Sequence, residues 1–496
     1  MQKLAHPETL RNMAIQALGK YVSDFMMRLI MLSTHSRRCG NNFRHHHEQC
    51  RHLRMSLLKW VPFNIAREIT TVLIRCVNQT YIELINIRDF KIACDKIAPL
   101  LIKSVLHPSV KILDCIPKTS HPTILDFYKI KNCILIYKAL PLLHDLTELR
   151  LGNARRTYDM NLEVGTFRNT LEKFSSRSCW DRDIQTLANS CRMLRCLDIS
   201  GSFHISDMVA DYILQFKHLE ELNLCEIHSL SEEGLQHILN GLADVELSSS
   251  LKPNEISPSS TEDLMVSATS SADKSRSPTL RSQMLKSFGC SYATVQHIHV
   301  IAQFSNLTSL SLSNILTCIL TPLQKLKHLK NFTLIDSRFI LAQDLLIAIG
   351  SQLKCLNIID VFGTDLHFIS EKCPSLVCLH LCFHKVEDLW LLRRYQAPDP
   401  NRLHIFDFPA VVFLELFVCE PSTAQYIVTL FPNLKKLCMR YIFDDTFLVW
   451  IRSHENLQHL KEVFWGDDSV IQFTEKCAYI TEFYSDGRTS VYKMQK

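Results

Sequence analysis

Glycine is scarce in this sequence: 12 residues in 496. Few positions can therefore let backbone close around a phosphate, and neither G-x-G-x-x-G nor G-x-x-x-x-G-K-[ST] occurs, which excludes the two commonest nucleotide-binding loops. Long apolar runs are missing as well. The first apolar cluster, Phe25 to Leu32, is interrupted by Arg28 and falls far short of the 18 or so residues a membrane span requires. Charge of one sign is not in excess either. Lys and Arg number 55 against 50 Asp and Glu, and a net +5 over so large a surface gives no ground for a nucleic-acid or membrane partner.

Catalytic signatures are equally thin. G-x-S-x-G is absent, and the histidine pairs in HEQCRH (47–52) and HENLQH (454–459) are five residues apart. That spacing turns them about 140° apart on a helix, so they cannot share a metal as the H-E-x-x-H pair does. Acidic pairs such as Asp444-Asp445 and Asp467-Asp468 fall at turns, where solvation accounts for them. The expectation is a protein without enzymatic activity, cofactor or metal. The 19 cysteines are scattered, with no C-x-x-C pair and no secretory leader before them, which points to reduced thiols in the cytoplasm or nucleus.

What the sequence has is a repeat. L-x-x-L-x-L recurs at Leu146-Leu149-Leu151, Leu194-Leu197-Ile199, Leu219-Leu222-Leu224, Leu307-Leu310-Leu312, Leu329-Phe332-Leu334, Leu353-Leu356-Ile358, Leu376-Leu379-Leu381, Val411-Leu414-Leu416 and Leu434-Leu437-Met439. Successive starts at 307, 329, 353 and 376 are 22 to 24 residues apart, the spacing of leucine-rich repeats. The longer steps, 376 to 411 and 146 to 194, imply an insertion and a degenerate copy. In each unit L-x-L forms a short strand with its leucines inward, and an amphipathic helix such as SEEGLQHILNGL (231–242) closes the coil. One unit cannot bury its own apolar face, so units must stack.

The expected fold is thus an α/β leucine-rich-repeat solenoid, with a parallel sheet on its concave side and helices outside, preceded by an all-α region over 1–140. Repeats fill 141–245 and 289–496, the second block ending in a C-terminal cap. Between them, 246–288 is rich in Ser, Pro and mixed charge and lacks apolar periodicity, as a disordered insertion would. Its Ser257-Pro258 and Ser277-Pro278 pairs are phosphorylation candidates, although a plain linker explains them too. The x of L-x-L should face the concave surface, which makes Arg150, Asp198, Asn223, Ser311, Thr333, Asn357, His380, Glu415 and Cys438 the candidate contacts for a bound protein. Cysteines in or beside the repeats (Cys191, Cys196, Cys225, Cys355, Cys373, Cys378, Cys382, Cys419 and Cys438) read as small buried fillers.

Two motifs stand in the helical head. TLRNMAIQAL places Thr9 and Leu10, then Ala14 and Leu18, at four-residue steps along one helical face, where leucines can fill pockets while the alanine admits a partner's backbone. WVPFNIAREI has Val61, Pro62, Ile65 and Ile69, with Pro62 suited to the first turn of a helix running on through TTVLIRCV. Between them lies HSRRCGNNFRHHHEQCRHLRMS, within 35–56. Its Cys39, His45, His46, His47, Cys50 and His52 match no common zinc spacing, and its arginines (Arg37, Arg38, Arg44, Arg51, Arg54) could meet phosphates. The expectation here is a solvated loop.

The first motif fits [TSP]-L-x-x-x-[CSA]-x-x-x-Φ and resembles the BC box; the second fits Φ-P-x-x-Φ-x-x-x-Φ and resembles the cullin box. In this order before cysteine-containing leucine-rich repeats, they resemble the von Hippel-Lindau box of substrate receptors in elongin-type cullin-RING ubiquitin ligases, such as the zygotic-defective family. The interval from Leu18 to Val61 is longer than such boxes usually show. The resemblance implies that Thr9, Leu10, Ala14 and Leu18 contact elongin B/C, that Val61, Pro62, Ile65 and Ile69 contact a cullin, and that the solenoid captures a target protein. Two other readings compete: a degenerate F-box in the helix beginning near Val61, with a Skp adaptor, or a repeat scaffold with no ligase role.

Overall fold

A computed structural model describes residues 7–35, 42–114 apart from 63, 86 and 88, 140–151, 162, 168–243, 281–383 apart from 316, 407–417, 421–439, 447, 450–451, 453–454, 457, 459–465, 469–473, 478–483 and 489–494. Four helices open the chain: α1 (Pro7–His35), α2 (Asn42–Trp60), α3 (Ala66–Ile85) and α4 (Lys91–Val105). In α1 the buried residues Ile15, Val22, Met26, Leu29 and Ile30 recur at helical spacing and face α3 and α4. Gly19 lies on the same stripe. A Cβ there would sit 2.8 Å from Cys76 Sγ, so only glycine admits α3 this close.

The stretch expected as a His- and Arg-rich loop is helix α2 from Asn42 onward. His46, Cys50, Leu53 and Leu57 form a buried stripe that packs on α4, while Arg44, Arg51 and His52 face solvent. Arg54 is turned inward, toward the protein's own backbone. It donates to the carbonyls of Lys103 and, at 2.9 Å, Leu106, closing the C-terminus of α4. Residues 36–41, with Arg37, Arg38 and Cys39, lie outside the described residues.

The rest is a leucine-rich-repeat solenoid. Thirteen strands, β1 (Ile112–Asp114), β2 (Glu148–Leu151), β3 (Lys173–Ser176), β4 (Cys196–Asp198), β5 (Glu221–Leu224), β6 (Ser287–Ser291), β7 (Ser309–Ser313), β8 (Asn331–Arg338), β9 (Cys355–Phe362), β10 (Cys378–Cys382), β11 (Phe413–Phe417), β12 (Lys436–Met439) and β13 (Glu462–Trp465), pair in parallel in sequence order. The last three, β14 (Ser469–Phe473), β15 (Ala478–Phe483) and β16 (Thr489–Met494), are antiparallel and close the end of the sheet. Helices α5 (Asp181–Ser190), α6 (Val209–Ile213), α7 (Glu232–Leu242), α8 (Val295–Ile301), α9 (Ile340–Ile349), α10 (Leu366–Lys372) and α11 (Pro421–Thr429) back the strands, and a 3-10 turn at Thr321–Lys325 takes their place between β7 and β8.

Each central leucine of a repeat packs beside its counterpart in the next, as in Phe332↔Leu356↔Leu379↔Leu414, all fully buried. Polar clasps fix the spacing: Asp181 receives the Ser206 amide and hydroxyl at 2.8 and 2.6 Å, and Asp207 receives those of Ser231 at the same distances. Four residues after each central apolar residue, β4 to β9 turn out through a left-handed residue: Gly201, Glu226, Tyr292, Asn314, Asp336 and Asp360. One of these six is glycine, so the scarcity of glycine does not prevent a repeated αL turn.

Several boundaries differ from those expected. β1 lies inside the region expected to be all helical, and the degenerate copy between Leu151 and Leu194 is β3, with Phe174 and Ser176 inward. Within the segment expected to be disordered to 288, Arg281–Met284 is one helical turn and Ser287 begins β6, with Phe288 and Cys290 buried. Residues 244–280 and 384–406 lie outside the described residues. One apolar core runs from Ile15 in α1 to Val463 in β13.

Candidate functional site

The head and the sheet each present a candidate surface. In the head, α1 packs on α3 and α2 on α4, while α1 and α2 scarcely touch along their length. The gap is an apolar groove of about 620 Å³. Ala14 and Leu18 line it from α1, joined by Tyr21 and Phe25, whose rings stack with centroids 6.3 Å apart. Val61, Pro62, Ile65 and Ile69 line it from the turn between α2 and α3 and the first turn of α3, and Leu53, Leu57 and Trp60 from α2.

The two motifs are therefore brought together, α2 spanning the long interval between them. Ala14 and Pro62 are exposed, Leu18, Val61 and Ile65 half-buried, and Ile69 buried. Thr9 and Leu10 lie in the first turn of α1, and their side chains are outside the described residues. Pro62 is not in the first turn of α3. It sits in the preceding turn, where its carbonyl accepts from the Ile65 amide at 3.1 Å, and the Ile65 carbonyl in turn accepts from Ile69 to start the helix. Arg11 and Glu68 form an ion pair between the two motif segments.

Trp60, 73% exposed, is the most exposed large hydrophobic residue among those described. It, Tyr21 and Phe25 are groove residues that motif matching does not reach. A signal for them exists: Tyr21 and Phe25 continue the four-residue face of Leu18 by three and seven, and Leu53, Leu57 and Trp60 are spaced by four and three.

On the sheet, the residue between the two inward leucines of each strand forms one continuous row. It runs Asp114, Arg150, Ser175, Asp198, Asn223, Gly289, Ser311, Thr333, Asn357, His380, Glu415 and Cys438, each the register partner of the next. All nine residues expected on the concave face are in it. Asp114, Ser175 and Gly289 were not anticipated: Phe174 and Phe288 replace the leucine that marks the motif before the last two, and at β1 Val110 and Cys115 stand where the first and last leucines would be.

Neighbours in the row hold one another. Ser175 Oγ donates to Asp198 Oδ2 at 2.9 Å, Asn357 Nδ2 to Thr333 Oγ1 at 2.8 Å, and His380 Nδ1 lies 2.7 Å from Glu415 Oε2. Asn223 turns toward β6, where a Cβ on Gly289 would meet its Oδ1 at 2.4 Å; glycine makes room for it. Glu415 is 3% exposed and Cys438 8%, so these two are in the row but not presented as open contacts. The cysteines also divide. Cys191, Cys225, Cys373 and Cys438 are buried as expected, while Cys196, Cys355, Cys378 and Cys382 are only half-buried; Cys419 is outside the described residues. Every described cysteine is a free thiol. Among the described residues no helix is long and apolar enough to cross a membrane, and no group of three or more His, Cys, Asp or Glu residues could hold a metal ion.

No protein-family model matches this chain, and no curated protein does. Among solved structures it is similar to a chain of the Rad7 and Elc1 complex in yeast, at 12% identity and a TM-score of 0.38 over 89% of this chain and 94% of that one. It is also similar to the internalin InlF from Listeria monocytogenes (15% identity, TM-score 0.24, 66% and 69% covered) and to a chain of the mouse RP105/MD-1 complex (14%, 0.26, 73% and 68%). Superpositions this loose carry no functional inference, and the repeat architecture stands on the chain's own strands and register.

Proposed function

We propose that this chain is a non-catalytic substrate-recognition subunit of a cullin-RING ubiquitin ligase, docking elongin B/C through α1 and holding a target protein on the concave row. The observation that carries this reading is the convergence of the two motifs on one groove: Ala14 and Leu18 on one wall, Val61, Pro62 and Ile65 on another, although the whole of α2 separates them in sequence. An apolar channel beside a helix that ends in exposed residues suits a helix-in-groove partner, whose anchors at i, i+3, i+4 and i+7 would fill it. Thr9, Leu10, Ala14 and Leu18 are the proposed adaptor contacts, and Val61, Pro62, Ile65 and Ile69 the cullin contacts. The target-binding residues are the open members of the row: Asp198, Asn223, Ser311, Thr333, Asn357 and His380. Transfer chemistry then belongs to the ligase's other subunits, so the chain needs no active site.

The test is affinity purification of the full chain from cells followed by mass spectrometry. Elongins B and C with a cullin should co-purify and be lost with Leu10→Asp. Recovery of a Skp adaptor, or of no ligase component, overturns the proposal, as does undiminished elongin recovery with the variant.

A further inference from the structure

One cluster on the concave face carries chemistry that surface recognition does not require. Cys355 on β9 and Cys378 on β10 are direct register partners. Adjacent strands run about 4.8 Å apart, within the Cα separation of roughly 4.4–6.8 Å that a disulfide spans. Both residues precede an inward leucine, so both side chains stand on the face away from the helices, and both are half-buried, within reach of a small solute. Cys382, the other half-buried thiol of β10, is four residues along the strand, about 13 Å away, and cannot bridge to Cys378 without moving backbone.

The surroundings make the two sulfurs unequal. The Cys355 thiol lies 3.4 Å from Asn357 Oδ1 and can instead donate to Cys378. A thiolate accepts more strongly than an amide oxygen, so ionisation of Cys378 draws that proton toward it. The neighbouring Cys355 thiol brings the Cys378 pKa down against the opposing effect of burial, with a further contribution from the charge of His380, while Cys378 and burial push Cys355 up. His380 stands two residues along the same strand face, fixed at Nδ1 to Glu415. Elsewhere in the solenoid burial acts alone or dominates, pushing Cys191, Cys225 and Cys373 up to about 12.

We infer that Cys378 and Cys355 form a hydroperoxide-reactive dithiol on the concave face, Cys378 being the attacking sulfur and Cys355 the one that resolves it into an interstrand disulfide. In the first step the Cys378 thiolate attacks a peroxide oxygen. An S–O bond forms, the O–O bond breaks, hydroxide leaves, and the sulfur is oxidised by two electrons as the peroxide is reduced. In the second step the Cys355 sulfur attacks the sulfenic sulfur; the S–S bond forms, the S–O bond breaks, and the departing hydroxide takes the Cys355 proton as water. The product ties β9 to β10 and removes a negative charge from the row. It does not depend on the ligase reading, whose groove is in the head.

The experiment uses the reduced full chain, treated with hydrogen peroxide, blocked with N-ethylmaleimide and mapped by mass spectrometry, with fragmentation to distinguish Cys378 from Cys373 and Cys382. The expected product is a Cys355–Cys378 linkage, two hydrogens lighter than the dithiol and reversed by dithiothreitol. Cys355→Ser should stop at a sulfenic acid on Cys378 that dimedone traps. Before oxidation, Cys378 should alkylate at pH 7 at least a few-fold faster than Cys355, the thiolate being the reactive form. Cys355 and Cys378 both remaining alkylatable after peroxide overturns the inference. So does prior oxidation of another cysteine, or a dimedone adduct on Cys355 and none on Cys378.

Discussion

Ala14→Glu separates docking from folding. Ala14 is exposed, in the middle of α1, and lines the groove. Replacing alanine by glutamate at a solvent-facing helical site costs at most about 0.5 kcal/mol of intrinsic propensity. The new carboxylate is three residues after Arg11, and an i,i+3 pair returns about 0.2–0.5 kcal/mol, so the fold should be nearly unaffected. In the complex the balance is different. A partner filling the groove would cover position 14 with apolar surface, and an uncompensated carboxylate there costs several kcal/mol. With about 3 kcal/mol taken as the loss, affinity for elongin B/C drops at least a hundredfold, while thermal unfolding moves by no more than a degree or two. Calorimetric titration of purified elongin B/C against wild type and variant reads the first quantity, and scanning calorimetry the second. Unchanged affinity with an unchanged melting temperature would show that the partner does not occupy this groove.

Other perturbations test the packing and the titrating groups. Gly19→Val puts a branched side chain where Cys76 Sγ would be 2.8 Å from the Cβ, so α1 and α3 must part; overpacking of this kind costs about 1–3 kcal/mol, read as an earlier denaturant midpoint. Leu356→Ala removes a fully buried side chain between Phe332 and Leu379 and should destabilise by about 2–5 kcal/mol, again read from the denaturant midpoint. Burial lowers the pKa of His46, His107 and His297, helped at His46 by His45 and at His107 by Arg54 and opposed at His297 by Glu232. The unfolded chain therefore takes up these protons first. Stability is complete above the ordinary imidazole value of about 6.5 and declines as pH falls below it. Melting temperatures between pH 7.5 and 5.5 check this, and a flat profile would refute it.

The repeats were legible because their leucines are read by one physical rule, burial on alternate strand positions, and Leu310, Leu356 and Leu379 obey it without exception. The rule failed where an aromatic or a smaller side chain filled the same layer: Phe174 with Ser176, and Phe288 with Cys290, gave strands that a leucine count passes over. In α2 composition misled. Histidines and arginines outweigh the four-three-four rhythm of His46, Cys50, Leu53 and Leu57, and a stretch that looks solvated is a packed helix. For the groove, the motif residues were visible in sequence, whereas Tyr21, Phe25 and Trp60 depend on how α1 and α2 splay, which only tertiary packing decides. The inequality of Cys355 and Cys378 was likewise invisible. It depends on which strands are neighbours, and β9 and β10 are 23 residues apart in register.

The unbroken core from Ile15 to Val463 gives the molecule a regular graduation. Twelve strand-to-strand steps from β1 to β13, each about 4.8 Å, span about 58 Å of backbone-registered surface. Anything held at the groove and anything held along the row are thus separated by a distance set by the number of repeats between them. Deleting one whole repeat would shorten that reach by one step and take one residue out of the row, while leaving the groove unchanged, and adding one would do the reverse.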